Sequence, residues 1–174
     1  MRLQKFKTPI DKVIATFSIV VMVGLVFCVV WQVFSRYVLG APSTMTDEIA
    51  RFSMIWVGLL GAAYGVGAQS HLSIDLLTMN LKGKKKALNV IFVNLCVLGF
   101  AASALIWGGG VLVLKVYATA QLSPAMQLPM AYVYGVLPLS GAVMSYYSLL
   151  YILDAVMDFF ALPAIQMTTS EEKA

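Results

Sequence analysis

Charged residues are scarce in this sequence and unevenly placed. Only 11% of the 174 residues are Asp, Glu, Lys or Arg, whereas 60% are hydrophobic, and the mean hydropathy is +0.86. A chain this apolar has more apolar surface than a single water-soluble core of its size can bury. The composition therefore indicates a membrane protein that is surrounded by lipid.

Groups that carry out chemistry are also missing. The sequence has one histidine, His71, and its two cysteines, Cys28 and Cys96, lie inside apolar runs. It contains no nucleophile motif, no paired catalytic carboxylates, no Cys/His metal spacing and no glycine-rich phosphate loop. A haem held by two histidines is excluded by the single His71. The sequence thus argues against an enzyme, and no metal or cofactor is expected in this chain.

Four long apolar windows divide the chain. Each is long enough to cross a hydrocarbon layer of ~30 Å at ~1.5 Å per residue, and none shows the alternation of a barrel strand. We predict an all-α integral membrane protein, a single domain with four transmembrane helices and an interfacial amphipathic segment between the first and second. The predicted boundaries are a basic lead-in 1–12, helix 13–35, an outer corner and helix start 36–51, helix 52–70, a loop 71–86, helix 87–114, an outer loop 115–129, helix 130–153 and a tail 154–174.

The basic residues indicate the orientation. Nine of the 12 lie on the side that holds both termini and the 82–86 loop, and the other three are Arg36, Arg51 and Lys115. The positive-inside rule therefore predicts cytoplasmic termini and a periplasmic corner. The first window follows a basic region, as a secretory signal does. However, its 23 uncharged residues exceed the ~7–15 of a signal h-region, so we expect the window to be retained as a helix.

The stretch from Trp31 to Arg51 concentrates polar residues between two apolar runs. Its Gly-Ala-Pro breaker ends the first helix, and Asp47 and Glu48 suit the positive N-terminus of the next. Arg51 lies four residues after Asp47, so a local ion pair can form. Two interpretations stay open, a well-capped interfacial helix start or a contact site for a partner or lipid. The candidate contact residues are Trp31, Arg36, Asp47, Glu48 and Arg51.

Small and polar residues mark the second helix and the loop after it. Gly58, Gly61 and Gly65 recur at helical spacing, and small residues let helix backbones approach closely in lipid. We expect them to pack against another helix, of this chain or of a partner. His71 and Asp75 follow at i, i+4. One histidine and one carboxylate are too few for a metal site, so an interfacial cap or a partner contact is favoured.

The predicted spans contain no Asp, Glu, Lys or Arg. Pumps and proton-coupled carriers place such a group inside the membrane, because a costly intramembrane charge is kept for function. This argues against transport of a charged solute by this chain alone. Elimination leaves a structural subunit, or one wall of a larger assembly.

Four motifs occur in order between about Lys12 and Asp158: W-Q-V-F-S-R-Y-V-L-G-A-P, D-E-I-A-R-F, G-L-L-G-A-A-Y-G-V-G-A-Q-S-H-L-S-I-D and L-P-M-A-Y-V-Y-G-V-L-P-L-S-G. Their order and spacing resemble the small membrane subunit (DctQ/SiaQ type) of tripartite ATP-independent periplasmic (TRAP) transporters. One departure is that Met45-Thr46 stand where the family often has a Trp before the acidic pair.

The resemblance implies a non-catalytic subunit of the inner membrane that scaffolds a large elevator-type membrane subunit as a heterodimer. The large subunit would hold the substrate and sodium sites, and a periplasmic substrate-binding protein would transiently deliver an organic acid, sialic acid or otherwise a C4-dicarboxylate. It also implies contacts with a subunit, the binding protein or phospholipid for Arg36, Asp47, Glu48, Arg51, His71 and Asp75. Nucleic acid is not expected as a partner. The alternative is an unrelated four-helix membrane assembly factor or a homo-oligomeric channel-like protein.

Overall fold

A computed structural model of the chain describes residues 4–41, 43–68 and 84–171, with side chains described for 8–41, 43–68 and 88–157. These ranges contain helices and no β-strand. Four helical stretches are long and apolar enough to cross a membrane, which confirms the predicted all-α membrane architecture. We refer to them as spans 1 to 4, and they are Thr8–Tyr37, Thr44–Gly67, Leu88–Ala118 and Met130–Met157.

Two spans are single helices and two are interrupted. Span 1 belongs to α1 and span 2 is α2, whereas spans 3 and 4 each combine several helical segments. The segments in chain order are α1 (Gln4–Tyr37), α2 (Thr44–Gly67), α3 (Lys84–Phe100), a π-helix (Ala101–Gly108), α4 (Gly109–Ala118), α5 (Met130–Tyr134) and α6 (Val136–Glu171). From Gln4 onward the basic lead-in is thus the first part of α1. The expected amphipathic segment corresponds to the connection after α1 together with the polar first turns of α2.

Glycine and proline account for two of the breaks. Gly40 has φ +63°, a left-handed conformation that ends α1 at little steric cost. Pro138 has no N–H to donate to Tyr134, the residue four positions earlier. The helix of span 4 accordingly stops at Tyr134 and restarts at Val136.

α6 lies at the centre of the bundle. It packs against α2, α3 and the π-helix, while α1 packs mainly along α2. The core contains apolar residues from every span and two tyrosines of α6, Tyr147 and Tyr151. Much of α1 stays exposed, since only 6% of its apolar window is buried. Within the described part of the chain, α1 therefore presents a large apolar surface that the other helices do not cover.

Spans 3 and 4 approach each other closely through glycines. A Cβ atom added at Gly109 would lie 2.7 Å from Leu137 Cβ, and one added at Gly141 would lie 2.7 Å from Leu105 Cβ. The triple glycine 108–110 does not interrupt the helix. Instead an eight-residue π-helix, which ends at the first of these glycines, Gly108, changes the helical register.

Candidate functional site

Three segments meet at one end of spans 1 and 2. They are the last turns of α1, the first turns of α2 and the outer loop, residues 119–129, which joins spans 3 and 4. Two adjacent acids, Asp47 and Glu48, make the side-chain contacts that join the three segments. We call the region formed by these segments the outer corner. The side chains bonded to these two acids are Gln32, Arg51 and Ser123.

Asp47 connects the first two helices. Gln32 Nε2 of α1 donates to Asp47 Oδ1 at 2.9 Å, and Arg51 Nη2 pairs with Asp47 Oδ2 one turn further along α2. The Arg51 and Asp47 side chains are 73% and 40% exposed. Solvent screening therefore limits their ion pair to about 0.2–1 kcal/mol. Asp47 thus links α1 to α2 through Gln32, and its ion pair with Arg51 adds little stability.

Glu48 points to the outer loop. Its carboxylate accepts hydrogen bonds from Ser123 Oγ, from the Ala125 N–H at 2.9 Å and from the Met126 N–H at 3.0 Å. An ionised carboxylate has lone pairs enough for all three donors and no proton that would oppose them. Adjacent acids on one helix therefore hold two different segments.

The helix start itself lacks the expected side-chain cap. Ser43 is the N-cap residue, yet its side chain makes no capping bond. Instead Thr46 Oγ1 donates to the Ser43 carbonyl at 3.1 Å. The Asp47 carboxylate is bonded by Gln32 and Arg51. The Asp47 and Glu48 carboxylates consequently bond to other segments, while their charge near the helix N-terminus remains favourable.

Three side chains near the end of α1 are exposed. Tyr37 is 79% and Trp31 50% exposed, and the Trp31 ring lies 5.9 Å from that of Phe34, centroid to centroid. Arg36 is exposed as well. Among the residues whose side chains the structure describes, it has no hydrogen-bond or ion-pair partner. Trp31 and Arg36 are therefore accessible for contact with lipid or protein.

The predicted glycine contacts do not occur within the described chain. Gly58 and Gly61 are exposed and Gly65 is half-buried, and a Cβ atom at any of the three would have no neighbour within 4 Å. Packing of this face against another protein stays a prediction. His71 and Asp75 lie outside the described residues.

Sequence reasoning missed a polar cluster at the other end of the bundle. The Tyr147 hydroxyl donates to Asp11 Oδ1 at 2.6 Å, and the Tyr151 hydroxyl donates to the Gly67 carbonyl. The predicted boundaries place Asp11 in the lead-in, but the apolar helix of span 1 begins at Thr8 and includes it. The described helix of span 1 therefore extends beyond the predicted 13–35 window, and that window itself has no charged residue. Nothing in the local sequence pairs Asp11 with a tyrosine 136 positions away.

Metal ligands do not cluster in the described ranges. No group of three or more His, Cys, Asp or Glu side chains there is placed to hold an ion. The contacts of the outer corner are hydrogen bonds and one ion pair between protein groups. This arrangement can hold segments together and present a surface.

Comparison with known proteins gives a consistent result. Residues 25–158 match the family described as the DctQ component of tripartite ATP-independent periplasmic transporters. The isethionate TRAP transporter permease protein DctMQ of Oleidesulfovibrio alaskensis is 30% identical over 135 residues, 74% of this chain and 21% of that protein. The C4-dicarboxylate TRAP transporter small permease protein DctQ of Rhodobacter capsulatus is 32% identical over 112 residues, 62% of this chain and 47% of that protein.

A third relative is more distant. The sialic acid TRAP transporter small permease protein SiaQ of Vibrio cholerae is 24% identical over 108 residues, 62% of each chain. The chain therefore spans less than two thirds of the length of each of these relatives. The family match includes the outer corner and most of the four spans, and it sets aside the alternative of an unrelated assembly factor. Together with the four spans it supports a multi-pass protein of the inner membrane. The chain thus belongs to the DctQ family of TRAP transporters, whose members are small permease subunits of transporters rather than enzymes.

Proposed function

We propose that this chain is the non-catalytic scaffold of a TRAP transporter, bound one-to-one to a large elevator-type membrane subunit. The observation that carries the proposal is that acids in the spans are used to hold the chain together. Asp11 is bonded to Tyr147, Asp47 to Gln32 and Glu48 to the outer loop. Acids committed to such bonds between segments suit a fixed frame better than a transport pathway, in which a charged group must bind and release its cargo.

The uncovered surface supports a membrane partner. Most of α1 is exposed, and the face of α2 with Gly58, Gly61 and Gly65 has room for another helix. Close helix approach through small residues is a usual mode of association in lipid. The relative named DctMQ is a longer permease protein of which this chain matches 21%. A large permease polypeptide is therefore the partner that we propose for this surface.

The substrate and the coupling ion belong to the other components in this proposal. The relatives are named for isethionate, C4-dicarboxylate and sialic acid, which are all organic acids. We propose sodium-coupled uptake of an organic acid, sialic acid or a C4-dicarboxylate. Sodium would bind to the large subunit, and a periplasmic binding protein would dock transiently. Both termini would be cytoplasmic and the outer corner periplasmic, with Trp31 and Arg36 at the headgroups.

An uptake assay tests this function. Cells would carry the large subunit and the binding protein with or without this chain, and accumulation of radiolabelled sialic acid and succinate would be followed with and without a sodium gradient. We expect sodium-dependent uptake of at least one substrate only when this chain is present. Undiminished sodium-dependent uptake without it would refute the scaffold.

Charge reversal examines the outer corner within the same assay. Arg36→Glu, or Asp47→Lys combined with Glu48→Lys, should reduce recovery of the complex and uptake. The matched control reverses Lys84, Lys85 and Lys86, which lie at the start of α3. If both sets of changes are equally tolerated, the corner is an ordinary interfacial turn.

A further inference from the structure

The outer loop is folded more tightly than a simple connection requires. The Ser123 N–H donates to the Leu128 carbonyl and the Met130 N–H to the Gln121 carbonyl, each at 2.9 Å. Ala120 and Gln127 have φ angles of 47° and 53°. Residues with a Cβ atom rarely adopt this left-handed conformation, and it persists only where surrounding contacts impose it.

Glu48 supplies the contact that joins this loop to another helix. The Ala125 and Met126 N–H groups point to one carboxylate from adjacent positions at the loop tip. Ser123, which is 1% exposed, donates its hydroxyl to the same carboxylate. Three donors thus converge on a side chain 75 to 78 positions away in sequence. Without that carboxylate, the two left-handed residues would be held by the loop's own backbone bonds alone.

We propose that Glu48 is a latch for the outer loop. With the latch closed, the loop is fixed over the start of α2, and Leu122 and Leu128 are exposed on its surface. With the latch open, the three hydrogen bonds to Glu48 are broken and the loop leaves this conformation. The helices keep their packing, because each of these bonds joins span 2 to the loop and none joins two spans. Glu48 is therefore a positioning residue for the outer surface. The proposal does not depend on a partner subunit or on a substrate.

Hydrogen–deuterium exchange of the full chain in lipid nanodiscs tests the latch. Glu48→Gln keeps the size of the side chain but replaces one acceptor oxygen by an amide NH2 group, whose N–H donors would face the N–H groups of the loop. We expect exchange in peptides from 121–129 to rise about tenfold or more. Exchange in α2 and α6 should stay within about twofold of the unmodified chain.

Asp47→Asn is the matched control. It alters the neighbouring acid, which bonds to Gln32 and Arg51 and not to the loop, so loop exchange should stay unchanged. Ser123→Ala removes one of the three donors and should give a smaller, equally local increase. If Glu48→Gln yields no folded protein, the Ser123→Ala result decides. Unchanged loop exchange in the deciding variant, or an increase spread equally over α2 and α6, would overturn the latch.

Discussion

Two groups of glycines among the described residues have opposite surroundings. At Gly67, Gly109 and Gly141 an added Cβ atom would lie within 2.7–2.8 Å of an atom on another helix. At Gly58, Gly61 and Gly65 it would meet nothing within 4 Å. The first group is required by packing within the chain. The second group has no such role among the described residues, although each glycine within a helix costs about 1 kcal/mol relative to alanine.

The difference teaches that spacing alone does not identify a packing surface. Gly61 and Gly65 have the small-xxx-small spacing of close helix pairs, yet they face outward. Ala63 and Gly67 have the same spacing, but both are buried, and Gly67 contacts the Tyr147 ring. The close contacts follow from where α6 crosses α2 and span 3. In the account proposed here, the open group is reserved for the large subunit.

Gly109→Ala should have the largest effect on stability. The new Cβ atom would lie 2.7 Å from Leu137 Cβ and 3.3 Å from the Pro138 nitrogen, atoms that move only with the backbone of span 4. We expect the free energy of unfolding to fall by about 2 kcal/mol, in the range typical of overpacking. SDS-induced unfolding in mixed micelles measures it. Gly110→Ala, which meets nothing within 4 Å, is the control and should cause no loss.

Gly67→Ala should have a smaller effect of the same sign. Its Cβ atom would lie 2.8 Å from the Tyr147 ring, which the bond to Asp11 holds in place. Part of the cost is offset by the better helix propensity of alanine, so we expect a net loss of about 1 kcal/mol. The same unfolding assay with Gly65→Ala as control measures it. An equal loss at Gly65 would show that the two groups are not different.

Gly61→Leu examines the open group. The isolated chain should unfold at the same SDS concentration, because the side chain enters open space. Association with the large subunit should weaken about tenfold, since overpacking by 1–3 kcal/mol corresponds to roughly 5- to 150-fold in affinity. Co-purification at graded detergent concentrations compares it with the unmodified chain. Unchanged association would assign the Gly61 face to lipid.

The ion pair of the outer corner should contribute least. Arg51→Gln removes the positively charged partner of Asp47. The Arg51 side chain is 73% exposed. We expect the free energy of unfolding to change by less than about 0.5 kcal/mol. The same SDS titration would check this value. A loss as large as that of Gly109→Ala would show that polar contacts, not helix packing, dominate the stability of the chain.

Local chemistry in the sequence predicts much of this fold. The gaps between charges locate four membrane helices because hydrocarbon excludes charge, and the spacing of Asp47 and Arg51 places them on one helix face. Gly40 lies within three residues of the end of α1. Pro138 lies within three residues of the point where the helix of span 4 restarts. These features depend on neighbouring residues, which is why they can be read without a structure.

The remaining features depend on contacts over long sequence distances. Glu48 and Ser123 are 75 positions apart, and Asp11 and Tyr147 are 136 apart. The spacing of Asp47 and Arg51 predicts their local ion pair, but no local spacing predicts that Glu48 accepts three hydrogen bonds from the outer loop. The π-helix lies where span 3 packs against α6, another contact between distant parts of the sequence. Tertiary packing decided each of these cases.

The molar ratio of the purified complex tests the central claim most directly. A tagged large subunit from the same gene neighbourhood would be co-expressed with this 18.9 kDa chain, purified in mild detergent and examined by native mass spectrometry. The scaffold account predicts one copy of each subunit in a stable complex. Recovery of the large subunit alone, with this chain purifying separately as a homo-oligomer, would contradict it.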